Sequence, residues 1–211
     1  MKETKQYVQF GCGLSAPDEW INFDASPTLR LQRIPILGRV VRKVVFPPNV
    51  RFGNILTTLP GISQNSCDGV YCSHVLEHLS LQDCKKALKN SYHILKQGGI
   101  FRCVLPDLEF AIQQYLHLKK IGDVDASLKF MQSTALGLDE KPKGFKNRMI
   151  AMLGNYQHLW MWDEASLCKE LKQVGFSTVR AAKFNDSADK YFEFVEGEGR
   201  FYGALAFEAI K

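Results

Sequence analysis

Two closely spaced glycines followed by an aspartate are the feature of this chain that most clearly indicates chemistry. The segment YVQFGCG is an apolar run with strand propensity that ends in Gly11 and Gly13, and Asp24 follows in the apolar segment WINFD. Because glycine has no Cβ, these positions can adopt turn conformations that bring backbone N–H groups close to a carboxylate or phosphate. A carboxylate at the end of a second strand can accept hydrogen bonds from ribose hydroxyls. Together the two features predict a site for a cofactor that contains a nucleoside.

The spacing within this segment disfavours a dinucleotide cofactor such as NAD. Gly11, Gly13 and Ala16 match the pattern G-x-G-x-x-G/A, which also requires a helix that opens at the glycines and an acidic residue about twenty positions on. Residues 14–19 leave room for only about one helical turn, and Asp24 comes too early. An NAD-dependent oxidoreductase is therefore the weaker interpretation.

Length and composition predict a single domain over residues 1–211. The chain has 211 residues, of which 45% are hydrophobic and 23% are charged, and this is enough to bury a sizeable core. No apolar segment approaches the roughly twenty residues of a membrane span, and MKETKQ lacks the apolar region of a signal peptide. We therefore expect a cytoplasmic enzyme.

The cysteines predict neither a zinc site nor structural disulfides. The six cysteines show no paired C-x-x-C spacing, and several lie in apolar runs where cysteine is usually a small buried hydrophobe. We therefore expect no metal site.

Residues 29–46 combine basic and apolar side chains. The net charge of the chain is only +5, and no aromatic-interleaved basic stripe indicates a nucleic-acid partner. Pro35 and Gly38 interrupt a long amphipathic helix, so a connecting helix on the sheet is the simpler interpretation. Peripheral contact with a membrane surface or binding of an anionic substrate is the alternative.

Strands and helices alternate along the rest of the chain, which is typical of a mostly parallel sheet with helices on both faces. Gly98 and Gly99 are expected to end the helix before the fifth strand. The predicted strands after the first two are 50–55, 69–73, 100–105, 176–182 and 203–210, and the predicted helices are 81–95, 108–118 and 164–174.

In an open α/β sheet the ligand lies beyond the carboxyl ends of the strands. That rule gathers Gly11–Gly13, Asp24, Asn54, Ser73–His78 and Pro106–Asp107 along one rim. The chain here resembles the class I S-adenosylmethionine-dependent methyltransferases, and within them the small type-11 group. The resemblance rests on six blocks in order, covering most of residues 7–176: YVQFGCG, WINFDASP, NILTTLP, CDGVYCSHVLEHL, YHILKQGGIFRCVLPDL and HLWMWDEASLCKELKQVGF.

The resemblance implies an α/β, Rossmann-like, seven-stranded, mostly parallel sheet with an unusually short link between the first and second strands. It also implies S-adenosylmethionine as the cofactor. The glycine turn would lie under the methionine moiety, Asp24 would bind the ribose, and Asn54 would face the adenine where the family usually has aspartate. The implied cofactor-binding set is Phe10, Gly11, Cys12, Gly13, Asp24, Asn54, Ile55, Cys72, Ser73 and His74.

Methyl transfer is an in-line displacement at a carbon activated by positive sulfur, so alignment and exclusion of water supply most of the rate. A hydroxyl acceptor generally also needs a base. The candidate catalytic residues are His158, His74 and Asp107, with His78 and Tyr156 as further candidates. Asp107 has an alternative role as a helix cap, and Glu77 and His78 have alternative capping or core roles.

Residues 119–161 are predicted to form a lid over the acceptor, because short apolar helical pieces alternate with glycines there. The fourth strand lacks the Asn/Asp-Pro-Pro-Tyr signature of base methylation, so we expect a small-molecule acceptor, such as a hydroxyl group of a sugar or other metabolite. A methyltransferase-fold protein that binds cofactor or a partner without turnover is the alternative, favoured by Asn54 and the short link.

Overall fold

The computed structural model describes residues 5–34, 45–57, 59–138, 140 and 157–211. Seven strands form one sheet in the order β3-β2-β1-β4-β5-β7-β6. The strands are β1 Tyr7–Phe10, β2 Ile21–Asp24, β3 Arg51–Phe52, β4 Cys67–Ser73, β5 Leu95–Pro106, β6 Thr178–Ala181 and β7 Ala204–Ile210. The pairs among β1 to β5 are parallel, and β7 runs antiparallel between β5 and β6. The predicted fold class is therefore confirmed.

The helices follow the predicted order. They are α1 Pro27–Gln32, α2 Leu81–Ile94, α3 Leu108–Lys120, α4 Ala126–Ser133 and α5 Glu164–Val174, with short 3-10 helices at Leu76–His78, Lys190–Phe194 and Glu198–Arg200. None of the helices in the described ranges is both long and apolar enough to cross a bilayer.

Side chains that alternate along the strands build a core on each face of the sheet. On one face, Val8, Cys72, Phe101 and Phe207 pack with buried side chains of α2 and α5. The other face carries an aromatic cluster of Tyr7, Trp20, Tyr71 and Phe192, in which the last residue belongs to a 3-10 helix. Two α-helices therefore cover one face, and a short 3-10 segment covers part of the other.

Caps explain where the two core helices begin and where α5 ends. Ser80 accepts a hydrogen bond from the Asp83 N–H at the start of α2, and Asp163 forms a capping box with Ser166 at the start of α5. Gly175 ends α5 with a φ of 117°, a conformation that favours glycine.

Two predicted boundaries are wrong for local reasons. Helix α2 ends at Ile94, and Gly98 and Gly99 lie within β5, where residues 96–99 bulge between the pairs Cys67–Leu95 and Gly69–Ile100. The predicted third strand, 50–55, shrinks to Arg51–Phe52 because the chain turns at once at Asn54.

The link between β1 and β2 contains no helix, as the spacing predicts. Of the basic segment 29–46, residues 35–44 lie outside the described residues, and α1 accounts for residues 29–32. All six cysteines are free thiols, and five are buried. Burial raises the pKa of Cys84 and of Cys103 to about 12, so both are inert at neutral pH.

A buried ion cluster lies on the aromatic face of the sheet. Arg102 in β5 is only 1% exposed. Its Nε donates to Glu196 at 2.7 Å, one terminal nitrogen donates to Asp186 and Glu208 at 3.0 and 2.9 Å, and the other donates to the carbonyl oxygen of Lys183 at 3.1 Å. The cluster ties β5 and β7 to residues 183–196, which cover this face.

Candidate functional site

The turn after β1 has a backbone conformation that glycine adopts freely. The φ angles of Gly11 and Gly13 are 65° and 56°. A Cβ at Gly11 would lie 2.3 Å from Cγ2 of Val75, whereas a Cβ at Gly13 would meet nothing within 4 Å. The absence of a side chain at Gly11 therefore lets the turn after β1 approach the segment after β4, at the carboxyl ends of both strands.

Asp24 holds this turn in place. Its Oδ2 accepts a hydrogen bond from the Gly13 N–H at 3.0 Å, and its Oδ1 accepts one from the Ser26 N–H at 2.7 Å. Its side chain is nearly buried. The Gly13 N–H, which is expected to face a ligand, thus donates its hydrogen bond to Asp24 within the protein. Each carboxylate oxygen retains a second lone pair that can accept a hydrogen bond, so the predicted ribose role is compatible with this bonding.

Phe10 and Cys12 differ from the glycines because their side chains face the protein. Phe10 belongs to the main core, and Cys12 packs with Leu29 and Val50. Burial raises the pKa of the Cys12 thiol to about 12. Only the backbone of these two residues is available to a cofactor.

Asn54 and Ile55 also carry local contacts. The Asn54 side-chain oxygen, predicted to face adenine, accepts a hydrogen bond from the Leu56 N–H at 2.9 Å. Ile55 is buried in the core, and its carbonyl oxygen accepts a hydrogen bond from Asn90 at 2.6 Å. Asn54 nevertheless lies on the rim, because the Gly53 N–H donates to the carbonyl oxygen of Asp24.

The three predicted cofactor contacts at the end of β4 differ in their surroundings. The Cys72 side chain is fully buried in the core, and burial raises its pKa well above the usual value. The side chain of Cys72 is therefore excluded from the site. The Ser73 hydroxyl is buried and has no hydrogen-bond partner among the described residues. His74 has a φ of 54°, an uncommon value for a residue with a side chain, and such strain concentrates at functional sites.

Three histidines surround the carboxylate of Glu77, a residue that is only 1% exposed. The His74 Nδ1 lies 3.4 Å and the His78 Nε2 lies 3.9 Å from Glu77 Oε1. The His158 ring stacks edge-on against His78 with ring centres 5.0 Å apart. Neither Glu77 oxygen accepts a hydrogen bond from any residue that the structure describes.

Backbone bonds bring His158 to this place from far along the chain. The N–H groups of Leu159 and Trp160 donate to the Glu77 carbonyl oxygen at 2.7 and 3.2 Å, and the His158 N–H donates to the carbonyl oxygen of Ala135. Burial lowers the pKa of His158 below its ordinary value of 6.5, although Glu77 acts in the opposite direction. His158 is therefore largely neutral at pH 7.

A cavity of about 500 Å³ opens beside these histidines. It lies between the end of β5 and the helices α3 and α4. Its lining includes the following residues: His74, Asp107, Phe110, Tyr115, Phe130 and His158. Asp107 caps α3 by accepting a hydrogen bond from the Glu109 N–H at 2.8 Å, so its alternative structural role is real.

The part of the chain that contains the glycine turn and Asp24 also matches a known protein family. Residues 8–181 match the family described as a methyltransferase domain. The chain belongs to this methyltransferase family. It is a class I methyltransferase of the small type-11-like kind, as its sequence blocks predict, and its cofactor is S-adenosylmethionine.

Three solved structures that share this fold are distant from the chain in sequence. A SAM-dependent methyltransferase from Thermotoga maritima is 17% identical with a TM-score of 0.53, covering 99% of this chain and 83% of that chain. One from Archaeoglobus fulgidus is 16% identical with a TM-score of 0.51, covering 100% and 87%. The phosphoethanolamine N-methyltransferase 2 of Haemonchus contortus, in complex with S-adenosyl-L-methionine, is 13% identical with a TM-score of 0.50, covering 100% and 49%. No curated protein matches the chain.

Within this methyltransferase, the structure gathers most of the predicted residues at one rim. Gly11, Gly13, Asp24 and Asn54 lie at the ends of β1 to β3, and His74, Asp107 and His158 line the adjoining cavity. Tyr156 lies outside the described residues, and so do residues 139 and 141–156 of the predicted lid.

Sequence reasoning leaves Glu77 and His78 between a capping or core role and a catalytic one. In the structure Glu77 lies beside His74 and His78, and neither of its side-chain oxygens accepts a hydrogen bond from the described residues. The spacing H-x-x-E-H could have signalled the cluster, because residues three and four apart lie on one side of a helical turn. The approach of His158 could not be read from spacing, since eighty residues separate it from His78.

Proposed function

We propose that this protein transfers the methyl group of S-adenosylmethionine to a hydroxyl group of a small molecule bound in the 500 Å³ cavity. The observation that carries the proposal is the position of this cavity. It opens beside His74, which directly follows β4, and β4 lies next to β1 and its glycine turn in the sheet. A volume of this size suits a small molecule, since ligand pockets usually measure about 300–1,000 Å³.

The lining supports an acceptor with both apolar and polar parts. Phe110, Tyr115 and Phe130 supply aromatic surface, while His158 and Asp107 supply polar groups at one end. In the reaction, the acceptor oxygen attacks the methyl carbon, the carbon–sulfur bond breaks, and its electron pair stays on sulfur. The hydroxyl proton is accepted by a histidine of the cavity wall, His158 or His74. Helix α4, which belongs to the predicted lid and lines the cavity, is proposed to cover the bound acceptor.

A protein that binds the cofactor without turnover is the second candidate. It is favoured by the hydrogen bonds that occupy Asp24 and the Asn54 oxygen within the protein. The two candidates differ in one measurement. Isothermal titration with S-adenosylhomocysteine, followed by a screen of hydroxylated metabolites with methyl-labelled cofactor, should detect both binding and transfer. Binding without transfer to any acceptor would favour the second candidate.

The cytoplasmic location of the protein and its organisation as a single domain stay predictions.

Replacing Asp24 by Ala is expected to weaken S-adenosylhomocysteine binding by about 1–3 kcal/mol, because charged hydrogen bonds to the ribose and to the glycine turn are lost. Isothermal titration measures the change. Glu19→Ala removes an exposed carboxylate from the same link and serves as the control. Equal affinities for the two variants would remove Asp24 from the binding site.

Replacing His158 by Ala is expected to lower turnover by about 10²-fold or more while leaving S-adenosylhomocysteine affinity unchanged. The residue lines the acceptor cavity and is held beside Glu77 by backbone hydrogen bonds. Initial rates with the acceptor found in the screen measure the effect. His117→Ala, at an exposed position on α3, should keep the wild-type rate. A fall in cofactor affinity instead of turnover would contradict the assignment to the acceptor side.

A further inference from the structure

We propose that Glu77, His78 and His158 bind a divalent transition-metal ion at the wall of the acceptor cavity. One ligand atom from each of the three residues lies within 4.8 Å of the others. They come from the 3-10 helix after β4 and from the segment before α5. This departs from the expectation of no metal, which considered only cysteine ligands.

The hydrogen bonds of the rings fix which nitrogens are available. His78 Nδ1 lies 3.0 Å from the Gln157 carbonyl oxygen, and His74 Nε2 lies 3.1 Å from the Arg200 carbonyl oxygen. A carbonyl oxygen only accepts, so both of these nitrogens carry hydrogen. In a neutral ring the opposite nitrogen then carries a lone pair. These nitrogens are His74 Nδ1 and His78 Nε2, and both face Glu77 Oε1.

Lone pairs that face a carboxylate repel it unless a cation lies between them, either a bound metal ion or the proton of an imidazolium. The Glu77 oxygens and His158 Nδ1 are buried and lack hydrogen-bond partners among the described residues. A buried carboxylate without a partner is costly, and one cation would satisfy Glu77, His78 and His158 together. The hydrogen bond from His78 to a backbone carbonyl is also the outer contact that metal-binding histidines usually make.

The ligand types indicate the kind of ion. Two imidazoles and one carboxylate are typical of zinc and neighbouring first-row metals, and three protein ligands leave a position open for substrate. Magnesium prefers a shell of oxygen atoms, so it should bind less tightly. The ligand atoms around a tetrahedral zinc ion lie about 3.4 Å apart. The ligand atoms of Glu77, His78 and His158 lie within 4.8 Å of one another. Side-chain rotations that move each atom by about an ångström would bring them to the zinc spacing.

The open position would face the cavity, because His158 lines it. The role of the ion, unlike its binding, rests on the proposed function. An acceptor hydroxyl bound to the ion would lose its proton more readily, and His158 would then act as a ligand and not as a base. The proton passes to solvent, and the oxygen attacks the methyl carbon as described above.

Titration of tag-free, chelator-treated protein with Zn²⁺ and with Co²⁺ tests the proposal. Calorimetry should show one ion per chain, and bound Co²⁺ should give visible bands without a thiolate charge-transfer band. Glu77→Gln and His158→Ala should each weaken binding by more than about 100-fold, since loss of an outer partner already costs about 10–100-fold. His117→Ala should bind like the wild type. Circular dichroism checks that each variant is folded. If Glu77→Gln does not fold, the affinity of His158→Ala for the ion decides the test.

Three results would overturn the metal site: no binding of either ion, equal affinity in His158→Ala, or a thiolate band that places the ion on cysteine. The third result is distinguishable because the six cysteines lie outside the cluster. Binding of S-adenosylhomocysteine to the metal-free protein is measured separately. If the ion binds and S-adenosylhomocysteine does not, the proposed function fails and the metal site stands. If only S-adenosylhomocysteine binds, the metal site fails alone.

Discussion

Replacing Gly11 by Ala is expected to lower the free energy of unfolding by about 2–5 kcal/mol and to abolish measurable binding of S-adenosylhomocysteine. The left-handed conformation costs an alanine about 1–2 kcal/mol. The new Cβ would lie 2.3 Å from Val75 Cγ2, and an overpacked contact of this kind costs about 1–3 kcal/mol more. Urea unfolding and isothermal titration measure the two effects.

Gly13 provides a matched control for this prediction. Its φ is also positive, but a Cβ there would meet nothing within 4 Å. Gly13→Ala should therefore cost only the conformational term of about 1–2 kcal/mol. The double variant Gly11→Ala, Val75→Ala should recover part of the lost stability, because it removes the contact. Equal losses for Gly11→Ala and Gly13→Ala, without recovery in the double variant, would show that the approach to Val75 is unimportant.

Replacing Arg102 by Met is expected to lower the free energy of unfolding by about 3–5 kcal/mol, the usual cost of removing one partner from a buried ion cluster. The change leaves Glu196, whose side chain is fully buried, and Glu208 with less compensation for their charges. Burial already raises the pKa of Glu196. For a domain of this size the melting temperature should fall by roughly 10 °C.

Arg180 supplies the control for the ion cluster. It binds Asp186 and Glu208 in the same cluster, but its side chain is 38% exposed. Arg180→Lys should therefore cost about 1 kcal/mol or less. Arg102→Lys should fall between the two, because lysine keeps the charge but has three donors in place of five. A loss below about 1 kcal/mol for Arg102→Met would mean that the cluster does not stabilise the fold.

The sheet could be predicted from sequence because its signals are local. Short apolar runs marked β4 and β7, and the helix predicted over residues 164–174 has the bounds observed for α5. The bulge at residues 96–99 was missed because adjacent glycines suit a helix end and a strand bulge equally well. The Arg102 cluster was missed because its acidic partners lie 84 to 106 residues away in the chain.

The sequence predicts where the candidate site lies along the chain, but it predicts the contacts of the site residues only in part. The glycine turn and Asp24 follow directly from composition and spacing. That Phe10, Cys12 and Cys72 turn their side chains inward is decided by strand register and packing, which the short segments alone do not fix. The meeting of Glu77 with His158 depends on backbone hydrogen bonds between distant segments, so only the fold reveals it.

The place of β7 in the sheet affects how the chain can assemble on the ribosome. Strand β7 is hydrogen-bonded to β5 on one side and to β6 on the other, and β6 has no other neighbour among the strands that the structure describes. During synthesis, β1 to β5 can pair as they emerge, while β5 keeps an open edge until residues 204–210 have been made. That interval exposes unpaired backbone groups to other chains, so the synthesis of β7 is also the step that protects the nascent protein from aggregation.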